Sequence, residues 1–228
     1  MIQRASEIAF LVLLVAGIPF VSWLTMRDPQ VVRLPRRSLY ASAVLSEWIF
    51  AVLGVVAVKV SGLGANAVAL RGVPPTSFAR WALALAALSA VGLGLLWILE
   101  RQGWWPDDPE LVYLLMPRTG VEKAWALLLL APTAALVEEF LYRGYLLAVT
   151  ARVLQSAGWA WGLSSIAFGL AHVYQRPSGM IRAAALGALL AWPVVRTGSL
   201  YPSMAAHFLI DAVAFGWLGP KMLKTKAS

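Results

Sequence analysis

The feature that most constrains this chain is a succession of apolar segments, each long enough to cross a lipid bilayer. The hydrocarbon core of a bilayer is ~30 Å thick and an α-helix rises ~1.5 Å per residue, so one crossing takes about 20 apolar residues. The 228-residue sequence contains about seven such segments. They lie at residues 8–26, 40–60, 78–99, 123–149, 159–174, 180–195 and 200–218. This pattern predicts an all-α, polytopic transmembrane helical bundle of about seven spans.

The composition agrees with a multi-pass integral membrane protein and excludes several kinds of site. Hydrophobic residues make up 60% of the chain and charged residues 13%, whereas a soluble domain is roughly half apolar and about a quarter charged. The absence of cysteine excludes disulfides, thiolate nucleophiles and cysteine-ligated metals. The bases behind the net charge of +8 lie largely between the apolar segments. We therefore expect membrane lipid as a partner and no nucleic acid.

Polar side chains inside the apolar segments are the candidates for chemistry. A charged side chain at the centre of a membrane helix costs roughly 2.5–3.5 kcal/mol, so each one needs a compensating role. The fourth, fifth and seventh segments contain ionisable residues of this kind, and both histidines of the chain are among them. These residues are Glu138, Glu139, Arg143, His172, His207 and Asp211.

Helical spacing sorts most of these residues into pairs. Glu139 and Arg143 are four positions apart with the acid first, which predicts an ion pair along one helix face. His207 and Asp211 share a face at the same spacing. Glu138 is rotated by about 100° from Glu139, because a helical turn takes ~3.6 residues. Glu138 therefore need not share the arginine.

The residues by themselves leave several chemistries open. Glu138 is suited to take a proton from water, and a histidine–aspartate pair is suited to stabilise an oxyanion. Glu138, His172 and His207 would equally suit a zinc ion with an open position for water. The non-catalytic alternatives are a structural ion pair, hydrogen bonds between helices, and a proton relay in a proton-coupled transporter.

The order and spacing of the motifs add a family resemblance. Successive segments carry Glu-Glu-x-x-x-Arg, Phe-x-x-x-His and His-x-x-x-Asp, over about residues 124–217. This set resembles the CAAX protease and bacteriocin-processing family (CPBP, also called ABI), which includes the type II CAAX prenyl endopeptidase. The matching positions are Glu138, Glu139, Arg143, Phe168, His172, His207 and Asp211.

The resemblance implies an intramembrane endopeptidase with its catalytic cavity between the C-terminal four spans. Carried over, Glu138 and His172 activate the hydrolytic water, and His207 and Asp211 form the oxyanion site. Asp211 departs from the asparagine that is common in the prenyl proteases. An ionised aspartate would repel an oxyanion, so Asp211 is protonated, acts through His207, or orients that histidine.

The resemblance also implies a structural role and a cofactor state. Glu139 and Arg143 form a structural ion pair, separate from the catalytic groups. No metal or other cofactor is expected, and a zinc ion on Glu138, His172 and His207 is the alternative.

The resemblance further implies a domain organisation, a substrate class and a location. Residues 121–220 form the protease domain, preceded by membrane helices and an interfacial loop at 1–120 and followed by a basic tail at 221–228. The expected substrate is a membrane-associated peptide or protein with a membrane-tethered end. The expected location is a bacterial inner membrane. A non-enzymatic bacteriocin-immunity or scaffold protein is the alternative within the family.

Depth in the membrane adds a geometric prediction. Glu138 and His172 lie on antiparallel spans, and straight helices would offset them by roughly 12 Å along the membrane normal. We therefore predict a kink or interruption of the fourth segment around residues 131–135, next to Pro132. It would bring Glu138 within roughly 3–6 Å of His172, around a shared water.

Overall fold

A computed structural model describes residues 2–106 and 110–218, and all regular secondary structure in those two ranges is helical. The prediction of an all-α protein is therefore confirmed. The helices are α1 Arg4–Arg27, α2 Arg36–Val60, α3 Pro75–Arg101, α4 Glu110–Leu115, α5 Gly120–Leu154, α6 Ala157–Ala171, α7 Arg176–Thr197 and α8 Tyr201–Val213.

Local capping fixes the ends of the helices that carry the candidate site. At the start of α5, the Thr119 hydroxyl accepts from the Glu122 backbone N–H at 3.2 Å, and the Glu122 carboxylate accepts from the Thr119 N–H at 3.1 Å. At the start of α6, Ser156 accepts from the Trp159 N–H. These bonds satisfy N–H groups that the first helical turn leaves unpaired. At the end of α7, Gly198 takes a φ of 69°, which a residue without a Cβ adopts at little cost.

Five helices are long and apolar enough to cross a bilayer. They are Arg4–Arg27, Arg36–Val60, Pro75–Arg101, Gly120–Leu154 and Val173–Thr197, the last of which combines a short 3₁₀ turn with α7. The predicted fifth and seventh segments form the shorter helices α6 and α8, and α8 continues into a π-helical turn at Ala214–Leu218. The count of seven spans therefore stays a prediction. The predicted basic tail at 221–228 lies outside the described residues.

Two π-helical segments interrupt the regular hydrogen bonding of α5, at Ala126–Leu130 and at Glu139–Leu146. The stretch between them, Ala131–Glu138, is regular α-helix. The predicted interruption at 131–135 is therefore wrong in its position. Proline lacks an N–H and crowds the carbonyl one turn before it, and the π-helical turn just before Ala131 accommodates Pro132.

The bundle is arranged around α5, which contacts α2, α6 and α8. α6 packs along α7, α3 lies against α8, and α1 packs on both α2 and α6. Glu139 and Arg143 are fully buried, whereas Leu83, Val91 and Leu95 on α3 are exposed. Charged side chains thus lie inside the bundle and apolar side chains lie on its surface. This is the distribution expected of a helical bundle whose outer surface contacts lipid. The fold thus places the ionisable residues of α5, α6 and α8 in its interior.

Candidate active site

Glu138 and Glu139 lie where α5 changes from α-helix to π-helix. Glu138 is the last residue of the regular stretch, and Glu139 is the first residue of the π-helical segment. A π turn takes in an additional residue, so the side chains after it are rotated relative to those before it. The two neighbouring carboxylates have different surroundings, since the Glu139 side chain is fully buried and that of Glu138 is 22% exposed.

Glu139 and Arg143 lie together in the closed part of the interior. Arg143 Nη1 is 3.0 Å from Glu139 Oε1, and both side chains are shielded from solvent. The nitrogen is not aligned for a hydrogen bond, so the contact is an electrostatic one. The guanidinium also lies over the Phe168 ring, 3.9 Å from its centroid. The buried cation is therefore stabilised by a carboxylate and by the face of an aromatic ring.

His207 is the residue on which the acidic side chains converge. Its Nδ1 lies 2.9 Å from Glu139 Oε1. Because an ionised carboxylate only accepts hydrogen bonds, Nδ1 is the donor and carries a proton. The other nitrogen, Nε2, lies 3.8 Å from Glu138 Oε2 and 3.7 Å from Asp211 Oδ2. Glu139 thus fixes the orientation of the imidazole, and Nε2 faces the two more accessible carboxylates.

His172 follows the last residue of α6 and is held by the helix itself. Its Nδ1 lies 2.8 Å from the backbone oxygen of Phe168, one turn earlier. A carbonyl oxygen only accepts, so Nδ1 is protonated and donates. The neutral ring then has its lone pair on Nε2, where it is able to accept a proton. Both histidines are therefore oriented through Nδ1.

Phe168 connects the two histidines and the arginine. Its ring centroid is 4.6 Å from that of His172 and 6.2 Å from that of His207, the latter in an edge-to-face arrangement. Tyr142 packs against the same ring at 5.3 Å, also edge to face. Phe168 is almost completely buried. Its ring thus holds side chains of α5, α6 and α8 in one cluster.

The structure brings some of the predicted site residues into direct contact and leaves others apart. Glu138, His207 and Asp211 lie around one nitrogen, and the Asp211 side chain is 24% exposed. His172 joins this group through the Phe168 ring. Among the described residues, no hydrogen bond or ion pair links Glu138 to His172. The shared water between them stays a prediction.

Two further side chains of the cluster have no counterpart in the sequence motifs. Glu47 of α2 interacts electrostatically with Glu138, His207 and Asp211, and its Oε2 is buried without a hydrogen-bond partner in the described parts of the chain. The hydroxyl of Tyr142 is likewise buried and unpartnered there. An acidic residue in the middle of an apolar helix is a sequence signal that could have identified Glu47.

The residues do not fit a three-ligand zinc site. In the described ranges, no three His, Asp or Glu side chains are grouped so that they could hold a metal ion. His207 uses Nδ1 for Glu139, and His172 uses Nδ1 for a backbone carbonyl, so each ring would bind a metal only through Nε2. The expectation of a metal-free site stays a prediction, and no step proposed below uses a metal.

Comparison with known proteins gives a family match that covers most of this cluster. Residues 120–213 match the family model described as Type II CAAX prenyl endopeptidase Rce1-like. The matched segment begins at the first residue of α5 and ends at the last residue of α8, so it includes every member of the cluster except Glu47. No curated protein and no solved structure matches the chain.

Proposed function

Since residues 120–213 match the Rce1-like type II CAAX prenyl endopeptidase model, we propose that this multi-pass membrane protein is an intramembrane endopeptidase whose hydrolytic water is activated by Glu138 and His172. The reaction is hydrolysis of a peptide bond in a membrane-associated peptide or protein. The observation that carries the proposal is the convergence of Glu138 and Asp211 on His207 Nε2, at 3.8 and 3.7 Å. These two carboxylates are partly accessible, while the Glu139–Arg143 pair behind them is sealed.

The proposed reaction begins with water. Glu138 takes a proton from the water, with His172 Nε2 as the assisting acceptor, and the water oxygen attacks the carbonyl carbon of the substrate. The carbonyl oxygen becomes an oxyanion in a tetrahedral intermediate. The proton is then returned to the amide nitrogen as the carbon–nitrogen bond breaks. The products are a carboxylic acid and an amine, and the site regains its starting protonation state.

His207 is the proposed donor to the oxyanion. Its Nδ1–H is held by Glu139, so donation through Nε2 requires the doubly protonated ring. Glu138, Glu139 and Asp211 supply the negative charge that stabilises this cation. Asp211 then acts through His207 and does not contact the oxyanion itself. This arrangement accommodates an aspartate where an asparagine is common.

The position of the site defines the class of substrate that we propose. Glu138 lies near the middle of α5, a 35-residue helix, so a substrate bond must enter the bundle to reach it. A peptide in that position needs an extended backbone and a hydrated path, because unpaired backbone groups are costly in lipid. We therefore propose a substrate with a membrane-tethered end, cleaved in a bacterial inner membrane.

The test is a comparison of the wild type with Glu138→Gln, which keeps the size of the side chain and removes the base. Glu122→Gln is the matched control on α5, because Glu122 belongs to the exposed N-terminal cap and an amide preserves the cap. We expect quantitative proteomics of membrane fractions to detect new peptide termini with the wild type and the control, and to lose them with Glu138→Gln. Persistence of these termini in Glu138→Gln would show that Glu138 is not the base, whereas their absence with the wild type would favour a scaffold role.

The same assay tests the metal. We expect processing to continue in the presence of a chelator, and the purified protein to contain zinc well below one ion per chain. Stoichiometric zinc that is lost in both His172→Ala and His207→Ala would instead establish a metalloprotease.

A further inference from the structure

Glu47 is an acidic residue in the membrane interior that the hydrolytic scheme above does not use. It lies near the middle of α2, a 25-residue helix whose sequence around it is largely apolar. A carboxylate at that depth is costly and is retained only where a partner or a function compensates for it. In the described part of the chain its Oε2 is buried and has no hydrogen-bond partner. This oxygen therefore makes no hydrogen bond that would account for a structural role.

The neighbouring contacts fix Glu47 against α5. Trp48, the next residue, donates its indole N–H to the Thr133 hydroxyl of α5 at 3.3 Å. Two turns further along α2, Gly54 allows a close approach, since a Cβ there would lie 2.8 Å from Leu141 Cδ2 and 2.9 Å from Phe140 Cε1. The packing of α2 on α5 is thus provided by other residues. The contact between α2 and α5 therefore does not depend on Glu47 alone.

The ionisable groups that interact electrostatically with Glu47 are Glu138 from α5 together with His207 and Asp211 from α8. Glu139 and Arg143 compensate each other's charge. Three carboxyl groups are then left around one imidazole. Carboxylates close together in a medium of low dielectric constant do not all ionise, so such groups share protons and titrate together.

We propose that Glu47 is a positioning residue of the active site, contributed by the N-terminal helices, which holds a proton that it shares with Glu138 and Asp211. This inference rests on the proposed peptidase function. When Glu138 takes the proton of the attacking water, that proton joins the one that Glu138, Glu47 and Asp211 share. A proton leaves the cluster when the amide nitrogen receives it and the carbon–nitrogen bond breaks, and the cluster then holds as many protons as at the start.

Glu47→Gln tests the proposal, because glutamine keeps the shape of the side chain and cannot exchange a proton. We expect kcat on a membrane-tethered peptide to fall by about 10- to 100-fold with KM changed less than about 2-fold, below the full effect of a direct acid or base. Glu47→Asp should recover part of the lost kcat. The protein yield of Glu47→Gln should equal or exceed that of the wild type, because an amide carries no charge and costs less to bury than a carboxyl group that ionises.

Glu7→Gln is the matched control for this experiment. Glu7 is also a buried acid of an N-terminal helix, but it pairs with Arg152 at 2.7 Å and lies outside the cluster. We expect Glu7→Gln to lower the yield and leave kcat unchanged. Full activity of Glu47→Gln beside an inactive Glu138→Gln would overturn the proposal and leave the proposed function standing. A Glu47→Gln variant that accumulates less than Glu7→Gln would make Glu47 structural and also overturn it.

A second measurement does not depend on activity. Infrared difference spectra between two pH values detect protonated carboxyl groups in the reconstituted protein. If protons are shared, the spectral changes of Glu47→Gln and Glu138→Gln will not add up to those of the double variant. Additive changes would overturn the proposal even if no peptide is cleaved, whereas coupled spectra without any cleavage would refute the peptidase function alone.

Discussion

At the scale of single residues, Glu139 has two partners on one oxygen. Its Oε1 lies 3.0 Å from Arg143 Nη1 and 2.9 Å from His207 Nδ1. The carboxylate therefore compensates the charge of a buried cation and also fixes the tautomer of the histidine beside Glu138. The ion pair and the active site are therefore one connected network. In it, Glu139 positions His207 and takes no direct part in the proposed reaction.

This network predicts opposite behaviour for the two neighbouring glutamates. Glu139→Ala or Arg143→Ala leaves a partner charge buried and unpaired, and we expect a loss of stability of about 3–5 kcal/mol. Glu138→Gln should leave stability near that of the wild type and abolish processing. Protein yield and thermal unfolding in detergent micelles measure the difference. A fully active Glu139→Gln together with a Glu138→Gln that does not accumulate would reverse these roles.

The residues that the sequence could predict are those that local geometry relates. The pairs Glu139–Arg143 and His207–Asp211 follow from positions four apart on a helix, and both are close in the structure. The bond from Glu139 to His207 joins residues 68 positions apart, and no spacing rule reaches across helices. Glu47 lies outside the motifs altogether.

At the scale of helices, the close packing of α6 on α7 helps to position His172. Gly169, three residues before His172, leaves no room for a side chain: a Cβ there would lie 2.7 Å from the Met180 backbone oxygen and 2.8 Å from Ala184 Cβ. Close approach through small residues is how helices pack when their surroundings are as apolar as their side chains.

Gly169→Ala should therefore destabilise the protein by about 1–3 kcal/mol, because backbone atoms of α7 must move to admit the methyl group. Gly162→Ala is the control on the same helix, since a Cβ there meets nothing within 4 Å. It should be neutral or stabilising by up to about 1 kcal/mol through helix propensity. Unfolding temperatures in detergent measure the difference between the two variants. Equal effects of the two substitutions would contradict the close packing of α6 on α7 at Gly169.

The predicted segments agree with the observed helices because apolar length is a property of the sequence itself. Residues 123–149 and 180–195 lie within α5, Gly120–Leu154, and α7, Arg176–Thr197. Pro132 indicated an interruption of α5, but it did not indicate that the interruption lies before residue 131 or that a second one follows at Glu139–Leu146.

At the scale of the whole molecule, the N-terminal helices contact the family-matched segment through a hydrogen bond and an ion pair. Ser22 of α1 donates to the Ala171 carbonyl at 2.8 Å, at the end of α6 and one residue before His172. Glu7 pairs with Arg152 at the end of α5. Carbonyls at a helix end have no partner within the helix, so the Ser22 bond satisfies a group that borders the site. The sequence motifs could not predict these contacts of α1, because all of the motif residues lie in α5 or after it.

The contact of α1 with α6 is testable because the chain has no cysteine of its own, so every introduced thiol is unambiguous. We expect Ser22→Cys with Ala171→Cys to be joined rapidly by a short thiol-specific cross-linker in native membranes, since the Ser22 hydroxyl lies 2.8 Å from the Ala171 carbonyl. Ser22→Cys with Gly162→Cys is the control, because Gly162 is nine residues earlier on α6, about 13 Å along the helix axis. Cross-linking at equal rates, or none in the first pair, would mean that α1 does not hold the end of α6. If the first pair is joined and activity is retained, the end of α6 need not move during turnover. The substrate would then enter elsewhere than between α1 and α6.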